Sequence, residues 1–179
     1  MTEPLWVFGY GSLLWNPGFE VEDQAVARLD GYHRSFCMRS IHHRGTAADP
    51  GLVLALDRAE GSYCDGIAFR AQAGTEAAAL EYLRERELIS SAYVETNASV
   101  CLSNRATVTA TVYVIDPSHV QYCGGLPLEE QAQIIAGAVG GRGPNWEYLS
   151  NTADHLAEIG LADPDLDWLR NRVTSIRGG

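Results

Sequence analysis

Two stretches of this chain carry residue types that could do chemistry. The first is Gly9-Tyr10-Gly11-Ser12-Leu13, which breaks the apolar run Trp6-Val7-Phe8. Glycines let the chain take φ > 0 and let a ligand come close to the backbone. Successive N–H groups in such a turn can form a concave anion or oxyanion cradle. An ordinary turn at a strand end uses the same residues. Two more specialised sites fail on spacing. The sixth position of GxGxxG is Leu14, and the next residues read as strand, which does not suit a dinucleotide-binding βαβ unit. A serine-hydrolase elbow needs GxSxG, whereas Ser12 stands between Gly11 and Leu13.

The second stretch is a helix expected over 76–88, rich in Ala, Leu, Glu and Arg, with Thr75 available as its cap. Leu80 and Leu83 lie at i and i+3, and Glu87 falls at i+7 on the same face. Glu76, Glu81, Arg84 and Glu85 take positions that can point outward. Such a helix hides its leucines, and that aims Glu87 inward. A carboxylate there is costly unless paired or protonated, so burial tends to raise its pKa. This is the condition of a carboxylate prepared for proton transfer near neutral pH. Fraying at the helix end, or pairing with an Arg, is the structural alternative.

Other candidates are less specific. Arg39-Ser40 and Arg44-Gly45-Thr46 bring two guanidiniums near the end of a strand, where they could neutralise a ligand carboxylate or pair with one of the many acidic residues. Gly140-Gly141-Arg142-Gly143-Pro144-Asn145 precedes a helix and could bind an anion, although a connection between helices explains it equally well. Tyr148, one turn into that helix, suits either core or pocket. No metal is expected at His42-His43, because neighbours on a strand diverge and no further ligand stands nearby.

The elements that must position these residues read as strands first and helices last. Residues 5–9 form a short strand. Residues 22–30 and 32–40 read as two strands joined by a turn at Asp30-Gly31, and 52–56 and 66–71 as two more. The plainest strand is 107–115, where valines and Ala110 alternate with threonines in the period of a half-buried strand. Residues 93–102 are expected to pair with it through a turn centred on Asn104. Helices are expected over 128–139, 145–159 and 165–173, with Pro127, Pro144 and Pro164 near their starts. These elements imply a single α+β domain over 1–179, a small barrel or curled sheet with helices outside.

Composition narrows the partners. Thirteen basic and 23 acidic side chains give a net charge of −10. Nucleic acid and anionic membrane both call for a basic face, so neither is expected as a partner. Every fixed cation is Arg, the residue suited to bidentate carboxylate contacts. Cys37, Cys64, Cys101 and Cys123 form no CxxC pair, which argues for reduced thiols. The N-terminus lacks a secretion signal and no apolar stretch approaches 18 residues, so a cytoplasmic location is expected.

Taken in order, these motifs resemble the γ-glutamylcyclotransferases, in particular the ChaC-like branch that acts on glutathione. The resemblance rests on Phe8-Gly9-Tyr10-Gly11-Ser12-Leu13, Trp15-Asn16-Pro17-Gly18, Gly31-Tyr32, Phe36, Ser40, Arg44-Gly45-Thr46, Pro50-Gly51, Tyr82-Leu83 with Arg86-Glu87, Tyr93, and Gly143-x-Asn145-x-x-Tyr148-Leu149. It implies a small mixed β-barrel with helices packed outside. It also implies a carbon–nitrogen lyase that releases 5-oxoproline and Cys-Gly from glutathione without metal or cofactor. Glu87 would be the general base. Tyr10, Gly11, Ser12 and Leu13 would hold the γ-glutamyl group, with Arg39, Ser40, Tyr93 and Tyr148 as further substrate contacts. One departure is Leu88-Ile89-Ser90-Ser91-Ala92, where eukaryotic glutathione-specific members tend to carry a shorter glycine-containing turn. Other γ-glutamyl amines or amino acids are alternative substrates. A non-catalytic module linked to cation transport is the alternative of a different class.

Overall fold

The alternation in 107–115 matures into β5 (Thr107–Ile115), paired antiparallel along its length with β4 (Tyr93–Leu102). At the turn between them, Asn104 Oδ1 accepts the Ala106 N–H, as expected of an Asn-centred connection. The expected half-burial holds only at the start of β5. From Ala110 onward every residue is buried, including Thr111 and Tyr113 of the threonine face. The outer face is covered in its turn: Tyr113 packs with Val7, with Leu13 and with Leu83 of the helix at Glu76–Glu87. On the other edge of β5, β1 (Trp6–Gly9) runs parallel to it, and the sheet order β1-β3-β2-β4-β5 forms a barrel.

The computed structural model describes residues 4–88, 92–161 and 163–178. The departure from the family pattern at 88–92 falls largely on 89–91, outside the described residues. The chain divides into two units, Met1–Arg34 with Leu56–His119, and Ser35–Ala55 with Val120–Gly179.

The first unit holds most of the barrel and α1 (Glu76–Glu87). Here two strand expectations are corrected. Residues 22–30 and 32–40 are one strand, β2 (Val21–Ser40), and 52–56 and 66–71 are joined in β3 (Gly51–Ala71). Gly31 does adopt φ +86, but the strand continues through it. A turn signal is local, whereas lateral pairing within the sheet decides whether a strand continues. Thr75 is likewise the N-cap by position only. Its hydroxyl donates to Gln72 O at 2.7 Å, while Glu76 Oε1 takes the Gly74 N–H at 2.6 Å. On α1, Leu83 is fully buried with Val7, Leu13 and Tyr113, and Tyr93 packs against this cluster.

The second unit carries α2 (Leu128–Gly137), a two-residue ladder of β6 (Val139–Gly140) with β7 (Gly143–Pro144), α3 (Asn145–Glu158) and α4 (Pro164–Gly178). The three helices pack on one another, and Ile135, Leu149, Leu156, Leu166 and Leu169 on them are buried. Among the described residues no helix is long and apolar enough to cross a membrane.

Candidate active site

Glu87 occupies the last turn of α1, one turn beyond Leu83 on the buried face, and its side chain is 17% exposed. Burial raises its pKa above the ordinary carboxylate range, opposed by the charge of Arg86, whose Nε lies 3.7 Å from Glu87 Oε1. Both readings of this residue therefore hold at once: it is aimed inward, and it has an arginine beside it.

The chain segment 10–18 meets this helix. Gly11 caps a short 3₁₀ turn, Ser12–Leu14, in which Leu14 N–H donates to Gly11 O at 2.9 Å and Asn16 N–H to Ser12 O at 3.0 Å. The N–H groups of Gly11, Ser12 and Leu13 find no acceptor among the described residues. A Cβ built on Gly11 would meet nothing within 4 Å, so open space lies beside this backbone. Gly9 is needed differently: a Cβ there would press on Phe69 at 3.0 Å and on Leu13 at 3.1 Å. The buried guanidinium of Arg34 donates to Tyr10 O at 2.7 Å and fixes the start of the turn. Leu13 is buried in the core cluster, which leaves only its main chain for a ligand.

The Ser12 hydroxyl accepts a hydrogen bond from Arg86 Nη2 at 2.9 Å. A guanidinium only donates and stays protonated, so it cannot take the serine proton. Among the described residues no base is paired with Ser12, and a nucleophilic role lacks its activating partner there.

Sequence reasoning missed Tyr113. This phenol lies on the threonine face of β5, which the alternation turns outward, yet it is 1% exposed. Burial, together with its hydrogen bond to Glu95, pushes its pKa well above the usual range, and the charge of Glu87 adds to that. Its register signal, odd-numbered with the threonines, points away from the core because the helix residue Leu83 and the turn residue Leu13 that cover it are invisible in one strand.

In the second unit, Tyr148 is set by an edge-on contact with Phe36, ring centroids 6.0 Å apart, and its phenol oxygen accepts the Leu54 N–H at 3.2 Å. Ser40 is buried and its hydroxyl accepts the Arg44 N–H at 2.9 Å. The two arginines differ. Arg44 donates to Arg142 O at 3.0 Å and Pro144 O at 3.2 Å and is built into the structure. The side chain of Arg39 makes no hydrogen bond or ion pair among the described residues. The glycine-rich 140–145 stretch is also structural. Gly141, Arg142 and Asn145 donate their N–H groups to His42, His43 and Ala138 carbonyls, and the buried Asn145 amide clasps Leu52 on both sides at 2.8 Å.

The first unit thus brings a largely buried carboxylate on α1 close to a turn whose N–H groups are open, beside the strands of a closed barrel. The chain belongs to the ChaC-like protein family, whose model matches residues 5–176. It is 38% identical over 174 residues to the glutathione-specific γ-glutamylcyclotransferase of Escherichia coli K12, covering 97% of this chain and 73% of that protein. It is 40% identical over 176 residues to γ-glutamylcyclotransferase 2-1 of Arabidopsis thaliana, covering 94% and 82%. The fold matches a yeast γ-glutamylcyclotransferase specific to glutathione with TM-score 0.86 at 23% identity, over 98% of both chains.

Proposed function

We propose that this protein is a glutathione-specific γ-glutamylcyclotransferase with Glu87 as its general base. The observation that carries the site is the pairing of a desolvated carboxylate with a turn whose N–H groups are open, both in the first unit. The E. coli relative, named as glutathione-specific at 38% identity, supports glutathione as the substrate. The binding-only alternative is not favoured, because the relatives at 38% and 40% identity are named as enzymes.

In this reading the substrate supplies its own nucleophile. The α-amine of the glutamyl residue attacks its γ-carbonyl carbon, a C–N bond forms to close a five-membered lactam, and the bond to cysteine nitrogen breaks. The α-amine is mostly protonated at neutral pH, since a reference α-amino group has a pKa of about 7.7–8.0. Glu87 accepts its proton and passes one to the departing nitrogen. Negative charge develops on the carbonyl oxygen, and the N–H groups of Gly11, Ser12 and Leu13 are the donors for it, each worth about 3–4 kcal/mol in comparable oxyanion sites. The Ser12 hydroxyl keeps its proton free to donate to substrate, because Arg86 occupies it only as an acceptor. Tyr10 and Tyr93 belong to the pocket wall in this reading. The resemblance further assigns substrate contacts to Arg39, Ser40 and Tyr148, and the uncommitted Arg39 guanidinium suits a carboxylate. A cytoplasmic location is part of this reading.

The test is direct. Purified protein incubated with glutathione is expected to release 5-oxoproline and Cys-Gly in equal amounts. Faster release of 5-oxoproline from γ-glutamyl-alanine than from glutathione would assign the enzyme to other γ-glutamyl compounds. No 5-oxoproline from either would remove the cyclotransferase reading.

A further inference from the structure

Arg86 makes contacts that a residue next to Glu87 has no reason to make. Neighbouring positions on a helix point in different directions and do not face each other. Yet Arg86 folds its Nε to within 3.7 Å of Glu87 Oε1 and sends its two terminal nitrogens to the turn. Nη2 donates to Ser12 Oγ at 2.9 Å, and Nη1 donates to Asn16 O at 2.6 Å, across 74 and 70 residues of chain. One helical turn earlier, Tyr82 Oη accepts from Nη1 at 3.3 Å. The Tyr82 ring in turn sits on Gly18, where a Cβ would fall 2.2 Å from the phenol oxygen and where φ is +78. Helix α1 therefore grips the 12–18 segment at three points, and Arg86 makes two of them.

We propose that Arg86 is a positioning residue of the cyclotransfer reaction, which sets the open N–H groups of the Ser12 turn at a fixed distance from the Glu87 carboxylate. The proposal rests on the reading of Glu87 as the base. Bringing amine, carbonyl and base into line is what a tethered substrate needs, and small misplacements are costly. Only the planar fork of arginine reaches two separated acceptors while its inner nitrogen stays beside a carboxylate.

The same arrangement gives Arg86 an electrostatic effect. Glu87 must be ionised to act as a base, burial opposes ionisation, and Arg86 favours it. Among the described residues, few charged or titratable groups face Glu87. Arg86 comes from its own helix, the Tyr113 phenol from β5, and Glu95 of β4 lies behind that phenol, already paired with Arg84. Residues 10–18 bring no acid or base other than the Tyr10 phenol. Removing the Arg86 charge therefore raises the Glu87 pKa, and the acid limb of the rate profile moves to higher pH.

The experiment compares kcat, KM and the pH profile with glutathione for wild type, Arg86→Gln, Arg86→Lys and Glu87→Gln, each checked by thermal melting. Arg86→Gln is expected to lose about 10- to 100-fold in kcat/KM, with its acid limb displaced upward. Arg86→Lys should restore the limb, because a cation remains, while KM stays raised because one ammonium cannot hold both Ser12 and Asn16. A folded Arg86→Gln with limb and KM both unmoved overturns the role of Arg86. So does a loss of activity in both variants that follows lost stability alone with an unmoved limb. Either result leaves the Glu87 reading standing, provided Glu87→Gln is inactive. Wild-type turnover in Glu87→Gln overturns that reading and the positioning role with it.

Discussion

The Tyr113 phenol donates to Glu95 Oε1 at 2.8 Å, across the β4–β5 pair. Glu95 also takes two hydrogen bonds from Arg84 on α1, both at 3.0 Å. The helix that carries Glu87 is thus tied to the barrel wall by an Arg–Glu–Tyr chain as well as by the buried Leu83.

Tyr113→Phe removes one link of that chain without leaving a cavity. The expected loss is about 1 kcal/mol of stability in denaturant melts at neutral pH, the net scale of one hydrogen bond. The bonds from Arg84, and then Tyr113, hold Glu95 below the usual carboxylate range. Their contribution is therefore present above the unfolded pKa of Glu95 and is lost as pH falls through its lowered folded value. The gap between variant and wild type should close on that acid side, and a gap that widens there would count against the pairing.

Glu87→Gln is expected to lose about 10²–10⁴-fold in turnover, the range for general acid–base catalysis. Its stability should move the other way. The folded state holds the Glu87 proton more tightly than the unfolded chain, so wild-type stability falls as pH rises from the unfolded towards the folded pKa. Above that window the glutamine variant should melt at a higher temperature than wild type, and below it the difference should disappear. Melting curves at pH 4 and pH 8 decide the matter.

Ser12→Ala should lower kcat/KM by about tenfold, the scale of one hydrogen bond to a charged group. Because the hydroxyl orients and does not attack, neither variant nor wild type should form a covalent adduct with substrate. An acyl-enzyme mass detected by rapid-quench mass spectrometry of wild type would contradict this.

Two glycine substitutions should separate stability from function. A Cβ on Gly45 would lie 2.0 Å from Gly51 N and 2.6 Å from Ser40 O. Gly45→Ala should cost about 3 kcal/mol or more, or fail to yield soluble protein. Gly11→Ala meets nothing within 4 Å. With no clash to relieve, it should lose less stability than Gly45→Ala, while its KM for glutathione rises, because the added methyl occupies the space beside the open N–H groups. Comparing melting temperature with KM for the two variants checks both outcomes.

Local pattern alone determined much of this protein. The strand at 107–115, the helix beginning at Glu76, and the placing of Glu87 one turn after Leu83 are properties of neighbours in sequence, and all three elements stand in the structure, although the half-buried period of the strand ends at Ala110. Linked motifs, each legible in the chain without geometry, also point to the family. Tertiary structure decided the rest. It joined strands that the turn signal at Gly31 divides, and it buried Tyr113 on the threonine face of β5 under Leu13 and Leu83. It also committed Arg44 to carbonyls nearly a hundred residues away and left the Arg39 side chain uncommitted. Most of all, it brought Ser12 and Asn16 within reach of the Arg86 guanidinium. Periodicity reports which way a side chain leaves its own backbone. Which distant acceptor it finds, and which face of a strand is covered, depend on chain segments brought together only by folding.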